Sequence, residues 1–278
     1  MSEIWQRFDQ AASTYDAASG LQQQSAQALL TWLSSHHNVK EQVWLDAGCG
    51  TGWMTRRLAA QGARVWAVDR ALAMLEGLRH VDDIQIICSD LRQLPMPDGM
   101  LDGMVSNFVL HWLGVDILPE LLRVVRPAGE LWLAIPVQGS LEHVQQRFAG
   151  FPVFDFLSED AWLAATEHTR HDYQVLTVRQ RFAHLHALLQ ALRHMGGDRT
   201  ARAHVPNPRQ MRQWLADRQP VDLDFRVLML RLSVPVQPLA GTSPAADQST
   251  QAAPDDSAQA APDDFAAWLA ARQADPRF

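Results

Sequence analysis

Cysteine is scarce in this 278-residue chain: Cys49 and Cys88 are the only two, which excludes a disulfide scaffold and any zinc site built from cysteines. Long hydrophobic runs are absent too, and no apolar stretch approaches the roughly 20 residues that a membrane-spanning helix needs. The start, Met1-Ser2-Glu3-Ile4-Trp5-Gln6-Arg7, carries neither a basic cluster nor an apolar segment, so no secretion signal is expected. A soluble, reduced, cytoplasmic protein is the default expectation. A general excess of positive charge is also missing: the net charge is -7, which argues against a nucleic-acid binder. What is present, 47% hydrophobic and 20% charged residues, supplies a core and excludes global disorder. The length suits one α/β domain with extensions.

Charge is unevenly spread. Residues 170–231 hold eleven arginines against five aspartates, a net +6, whereas residues 232–278 carry -4 and residues 1–169 carry -9. A local arginine-rich surface suits an acidic protein or a carboxylate-bearing ligand; the alternative is a solvated face of scattered arginines.

Residues 13–32 read as one helix, with Tyr15, Ala18, Leu21, Ala26, Leu29 and Leu30 at near-helical spacing. Residues 42–46 form a short apolar run that ends in an acid and leads into a glycine-rich turn. A helix over 53–61 stops at Gly62. Residues 64–69 give a second strand ending in an acid, 71–80 a helix, 84–88 a third strand with Asp90 just beyond it, and 101–106 a fourth. A helix over 118–125 and a turn over 126–129 precede a fifth strand at 130–135. Helices at 141–148 and 158–166 follow. Strands at 173–181 and 225–234 flank a helix at 185–195 that Gly196-Gly197 ends. Strands alternating with helices at this pitch imply βαβ units and a parallel sheet covered on both faces, whose ligands bind at the carboxyl ends of the strands. Asp46, Asp69 and Asp90 all fall at such ends. From residue 237 the composition shifts, and Gln251-Ala252-Ala253-Pro254-Asp255-Asp256 repeats at 259–264, as in a low-complexity tail.

The loop Asp46-Ala47-Gly48-Cys49-Gly50-Thr51-Gly52 follows a strand and opens a helix, and the acid closing the next strand, Asp69, stands where it can bind both ribose hydroxyls. Two cofactor readings compete. A nicotinamide fold prefers G-x-G-x-x-G, with its third glycine at the position of Trp53. Here the pattern is G-x-G-x-G with an acid already at Asp46. An acid beside a diphosphate is unfavourable, whereas an amino group and a sulfonium welcome it. The spacing therefore favours S-adenosylmethionine and a methyltransferase; glycines that merely make a tight turn are the structural alternative.

Leu45-Asp46-Ala47-Gly48-Cys49-Gly50-Thr51-Gly52, Val68-Asp69, Ser89-Asp90 and Arg123-Val124-Val125-Arg126-Pro127-Ala128-Gly129 resemble the successive motifs of class I S-adenosylmethionine-dependent methyltransferases. More narrowly, residues 8–15 and 21–30, Gly52-Trp53-Met54, Ser106-Asn107, His111-Trp112 and Val137-Gln138-Gly139-Ser140-Leu141 resemble the malonyl-acyl carrier protein O-methyltransferase family, which starts pimelate assembly for biotin. The resemblance covers roughly residues 8–145. It implies a Rossmann-like, seven-stranded, mostly parallel sheet with helices on both faces, an amino-terminal helical lid and an insertion after the fifth strand. The implied segments are a lid over 1–40, a cofactor-binding core over 41–137, a helical insertion covering the substrate over 138–171, completion of the sheet over 172–236 and a tail over 237–278.

The resemblance also implies roles. Gly48, Gly50 and Gly52 line the methionine part of the cofactor, with Asp46 near its ammonium, and Cys49 is a further cofactor-binding candidate. Asp69 takes the ribose hydroxyls, Arg70 flanks the adenine, Asp90 accepts the adenine amino proton and Leu91 packs on the ring. Asn107 sits close to the methionine amino group. Tyr15 and Gln24 belong to the lid, and Tyr15 and His111 are the candidate catalytic residues, each with an ordinary structural role as the alternative. Candidates for the malonyl carboxylate or the carrier are Arg123, Arg126, Arg193, Arg199 and Arg202. The implied substrate is malonyl-acyl carrier protein or malonyl-coenzyme A, with no metal, nucleic acid or membrane partner; His184 and His186 lack a third ligand at metal-binding spacing. Competing functions are methylation of a small phenolic, quinone or amine acceptor, and a non-catalytic S-adenosylmethionine-binding protein.

Overall fold

The computed structural model describes residues 4–151, 154–194 and 208–236. Seven strands form one sheet: β1 (Val43–Ala47), β2 (Arg64–Asp69), β3 (Ile84–Cys88), β4 (Leu101–Asn107), β5 (Val125–Pro136), β6 (Arg170–Phe182) and β7 (Val221–Ser233). Their order is β3-β2-β1-β4-β5-β7-β6. The first five run parallel, and β7 lies antiparallel between β5 and β6. β1 is buried along its whole length, as expected for a central strand covered on both faces, and its one charged residue is Asp46. The strand order reverses between β1 and β4, so the crevice where ligands bind in such sheets opens over Ala47 and Asn107.

The described helices are α1 (Ile4–Ala18), α2 (Gly20–His36), α3 (Trp53–Ala60), α4 (Leu72–Leu75), α5 (Leu118–Val124), α6 (Glu142–Arg147), α7 (Glu159–Ala164), α8 (Leu185–His194) and α9 (Pro208–Ala216). The single helix expected over 13–32 is in fact two, broken at Ser19. There the Gln23 carboxamide donates to Ser19 Oγ (3.0 Å) and to the Asp16 carbonyl (3.1 Å). Apolar spacing runs on through the break, so periodicity alone does not show it. The break lets α2 bury Leu21, Leu29, Leu30 and Leu33 while α1 turns across the glycine loop.

Other boundaries move for local reasons. The helix expected over 71–80 shrinks to α4 and a 3₁₀ turn, where Arg56 Nη2 donates to the Gly77 carbonyl at 2.8 Å. The turn expected at 126–129 lies within β5, because Ala128 N–H donates to the Val234 carbonyl (3.0 Å) and Val234 N–H to that of Gly129 (2.9 Å). β6 and β7 each run 13 residues, longer than the apolar pattern indicates, since they pair with each other along their entire length. α9 has no counterpart in the sequence reading; it is anchored by a single buried Trp214. Gly196, Gly197 and the tail from residue 237 lie outside the described residues. No helix among the described residues is long and apolar enough to cross a membrane.

The centre of the sheet depends on one close approach. Trp44 is fully buried, and a Cβ placed on Gly103 of β4 would stand 2.6 Å from its ring. Gly103→Ala should therefore overpack the core and cost about 1–3 kcal/mol. A urea midpoint that falls while the slope stays unchanged is the expected result; an unshifted midpoint would show that the ring has room to move.

Candidate active site

Three glycines with positive φ turn the chain from β1 into α3: Gly48 (73°), Gly50 (53°) and Gly52 (83°). They do different things. A Cβ on Gly48 would meet Val109 at 2.4 Å and one on Gly52 would meet Leu78 at 2.4 Å, so both are held by packing. At Gly50 the Cβ direction is open except for Tyr15 at 3.8 Å, which leaves its backbone free for close approach by a ligand. Asp69, at the tip of β2, fixes the loop. Its Oδ2 accepts from Gly50 N–H at 2.9 Å and its Oδ1 from Ala71 N–H at 2.9 Å.

Two adjoining cavities open on this loop and share Tyr15, Gly48, Gly50 and Asn107 in their walls. The larger is lined by Asp69, Arg70, Asp90 and Leu91 on the sheet side, and by Trp5, Phe8 and Trp112 opposite. The smaller holds Asp46, Cys49 and Trp53. Asp46 Oδ2 accepts from Thr55 Oγ1 at 2.6 Å, but its Oδ1 is buried without a partner. Asn107 Nδ2 donates to the Gln22 carbonyl at 3.1 Å, which leaves its buried Oδ1 also without a donor. Two acceptor oxygens in the wall of one cavity thus lack protons to accept.

Burial shapes the acid–base state here. It pushes the Asp46 carboxyl up to about 7, against the lowering effect of the Thr55 hydrogen bond. Burial also raises Asp69 despite its backbone donors, and it raises the Tyr15 phenol, helped by the nearby charges of Asp69 and Asp16. The Cys49 thiol is likewise driven well above its ordinary value, chiefly by burial, so it is no nucleophile.

Of the residues singled out from the sequence, Tyr15, Asp46, Gly48, Cys49, Gly50, Asp69, Arg70, Asp90, Leu91 and Asn107 come together around these cavities. Gly52 faces Leu78 instead. Arg70 Nη1 donates to Asp90 Oδ2 at 2.9 Å and Arg92 N–H donates to its Oδ1 at 3.0 Å, so both oxygens of that carboxylate already accept a hydrogen bond. His111 lines neither cavity. Its ring sits among Phe108, Trp112, Phe154 and Phe156, with centroids 4.5–6.3 Å away, and burial lowers its pKa to about 3. A neutral ring behind the wall is not placed to act as a base.

Arg123 and Arg126, expected at the substrate, are corrected by the structure. Arg123 bonds Glu120 and Asp98 at 2.7 Å each and the Met96 carbonyl at 2.7 Å; Arg126 bonds Asp102 at 2.7 Å. Both lie at the amino ends of β4 and β5, the opposite edge of the sheet from the glycine loop, and they brace that edge. Arg193 stands in the last turn of α8, while Arg199 and Arg202 lie outside the described residues. His184 Nδ1 accepts from Ala187 N–H at 3.2 Å and so caps α8.

The sequence reading missed Trp5, Phe8, Met74 and Val109 as wall residues. Phe8 and Tyr15, seven residues apart on α1, share a helix face and make an edge contact at 6.3 Å; that spacing is the signal that was available. Asp9 and Asp16 tie α1 down: Asp9 Oδ1 accepts from Ala73 N–H at 2.8 Å, and Thr51 Oγ1 donates to Asp16.

A family model described as a methyltransferase domain matches residues 45–133, the stretch that carries all of these wall residues except those on α1 and α2. The YcgJ protein of Bacillus subtilis superposes with a TM-score of 0.54 over 75% of this chain and 98% of its own, at 14% identity, and shows the same fold. The class is therefore that of the S-adenosylmethionine-dependent methyltransferases with a class I fold. A malonyl-[acyl-carrier protein] O-methyltransferase of Yersinia pestis is 32% identical over 199 residues, 68% of this chain and 72% of that one. One from Herminiimonas arsenicoxydans is 32% identical over 221 residues, 75% of this chain and 83% of that one. One from Serratia marcescens is 39% identical over 141 residues, 49% and 54% of the two chains. The chain belongs to the malonyl-[acyl-carrier protein] O-methyltransferase family.

S-adenosylmethionine is the cofactor of this class, and the residues present fit it. The two unpartnered oxygens of Asp46 and Asn107 suit an ammonium group, and the carboxylates of Asp69 and Asp90 line the cavity that suits a nucleoside. An ammonium is held by an ionised carboxylate, and free Asp46 is half protonated near pH 7. Binding should therefore tighten as pH rises towards 7 and level off above it. Below 7 the affinity should fall by up to about tenfold per pH unit, because one proton must first leave. Calorimetry with S-adenosylhomocysteine between pH 5.5 and 7.5 reads this slope, and Asp46→Asn should abolish it. A slope that survives the substitution would assign the titration to another group. Asp69→Ala should weaken the same ligand about ten- to 150-fold, the worth of a hydrogen bond to a charged group. Unchanged affinity would place the ribose contact elsewhere.

Proposed function

We propose that this protein transfers the methyl group of S-adenosylmethionine to the free carboxylate of a malonyl thioester carried on acyl carrier protein, at the start of biotin synthesis. The observation that carries the reading is the family membership, over two thirds of the chain, with proteins named for that reaction. The cofactor supplies an electrophilic methyl group. A malonyl carboxylate, with a pKa of about 4, is already ionised near neutral pH and requires no general base. That agrees with cavity walls in which no histidine stands among the described residues. A phenol or an amine acceptor would need a proton acceptor there.

In this reading the chain's own residues hold, orient and dry the site. Asp46 and Asn107 take the ammonium, Asp69 the ribose, and Asp90 with Leu91 the adenine. Tyr15, raised above its ordinary pKa by burial, keeps its proton and stands as a neutral donor over Gly50. Trp112, Phe8 and Phe108 give an apolar wall that strips water from the acceptor, while alignment contributes roughly 7–11 kcal/mol when the geometry is right. Residues 1–40 act as the lid, 41–137 as the cofactor core, 138–171 as the cover of the substrate and 172–236 as the rest of the sheet. The free thiols of buried Cys49 and exposed Cys88 support a reducing compartment, the cytoplasm.

The test is turnover with malonyl-acyl carrier protein, malonyl-coenzyme A and a small phenol, followed by mass spectrometry. A methyl ester on the malonyl carrier and no product from the phenol is the expected outcome. Product from the phenol alone would replace this reading. His111→Gln should leave the pH profile of the reaction unchanged, whereas loss of one limb of that profile would return His111 to the chemistry.

A further inference from the structure

The two helices α8 and α9, Leu-His-Ala-Leu-Leu-Gln-Ala-Leu-Arg-His and Pro-Arg-Gln-Met-Arg-Gln-Trp-Leu-Ala, contain no acidic residue. They pack against each other. α8 buries Leu185 and Leu188 and leaves His186, Gln190, Arg193 and His194 exposed. α9 buries Trp214 beside Phe148 and Phe151, with ring centroids 5.9 and 6.0 Å away, and leaves Arg209 and Arg212 exposed. Arg209 and Arg212 are three residues apart, so like charges share one helix face. On an isolated helix that arrangement is unfavourable, and an exposed face usually offers a carboxylate instead.

Several arginines elsewhere are paired with acids, while others, such as Arg56 and Arg57, meet only backbone carbonyls or a ring. Arg123, Arg126, Arg147, Arg226 and Arg231 each reach a carboxylate at 2.5–2.8 Å. On α8 and α9, among the described residues, no carboxylate lies within ion-pair distance of Arg193, Arg209 or Arg212. Arg212 Nε reaches only the Pro208 carbonyl of its own helix, at 3.2 Å. The place of the face matters as much as its charge. α8 packs on α1, and Thr14 Oγ1 donates to the His194 carbonyl at 3.4 Å. Thr14 precedes Tyr15, which stands where the two cavities meet.

We propose that the exposed face of α8 and α9, carrying Arg193, Arg209 and Arg212, docks the acidic surface of the carrier protein that delivers the thioester. This rests on the reading under Proposed function and adds the surface that reads the carrier. A small basic face on a protein of net charge -7 fits a compact acidic protein. An extended polyanion such as a nucleic acid, or an anionic membrane, would meet the repulsion of the whole chain.

The experiment reverses Arg209 and Arg212 together to glutamate, with an Arg209→Gln, Arg212→Gln pair as the milder variant and melting temperature as the folding control. Activity is read as kcat/KM on malonyl-acyl carrier protein and on malonyl-N-acetylcysteamine, across a salt series. On the carrier, kcat/KM should fall about tenfold or more at low salt, with kcat at saturation retained and the salt dependence flattened. The small thioester should be turned over as by the unaltered protein. Equal loss on both substrates, or no loss on either, would overturn the docking surface while leaving the methyl transfer standing. Carrier binding is also measured without turnover, by fluorescence anisotropy of a labelled malonyl carrier. Should the protein methylate no malonyl substrate, binding that the reversal abolishes would uphold the surface, and absence of binding would overturn both proposals. Tighter binding of a labelled duplex RNA than of the carrier, lost on reversal, would assign the face to nucleic acid instead.

Discussion

A carboxylate buried with half of its acceptors unsatisfied organises this protein. Asp46 lies in the most enclosed strand of the sheet, gives one oxygen to Thr55 and leaves the other with no donor. Such a group costs of order 1–3 kcal/mol when neutral and more when charged. Its raised pKa is that cost expressed as a proton. Nothing in the core removes it, and the neighbouring Asn107 adds a second empty acceptor. The place where stability is sacrificed is the place where strand order reverses and a crevice is unavoidable, so cost and opportunity coincide.

The rest of the site keeps that deficit dry. α1 crosses the glycine loop because the helix breaks at Ser19, and it is tied down by two acids that meet backbone or hydroxyl donors, Asp9 at Ala73 and Asp16 at Thr51. Tyr15 then stands above Gly50, the one glycine of the loop whose Cβ direction is open. The apolar wall of Phe8, Phe108 and Trp112 continues into the cluster around His111, where Phe154 and Phe156 arrive from the segment after β5. Packing of that kind explains why His111 is neutral, and why it supports Trp112 rather than facing the cavity.

The arginines divide by location. Those at the amino ends of the strands, Arg123 and Arg126, hold loops by bonds to carboxylates and carbonyls and act as braces. Those on α8 and α9 have no such partners among the described residues. Identical side chains thus serve as scaffold or as surface charge according to whether the fold brings an acid to them.

Much of this was legible in the residues themselves. The alternation of short apolar runs with helical spacing, the acids at 46, 69 and 90 and the G-x-G-x-G loop depend on near neighbours in the chain, and local pattern carries such information. The parallel core, the covering helices and the cofactor class followed from them. Tertiary structure decided what depends on distant pairs. Arg123 meets Asp98 across 25 positions, His111 meets Phe154 across 43, and Glu130 meets Arg231 across 101. No periodicity records these distances, because each pair exists only once the sheet has formed. The break at Ser19, hidden inside a continuous apolar stripe, was likewise settled by packing: α2 is held against the sheet while α1 turns across the glycine loop.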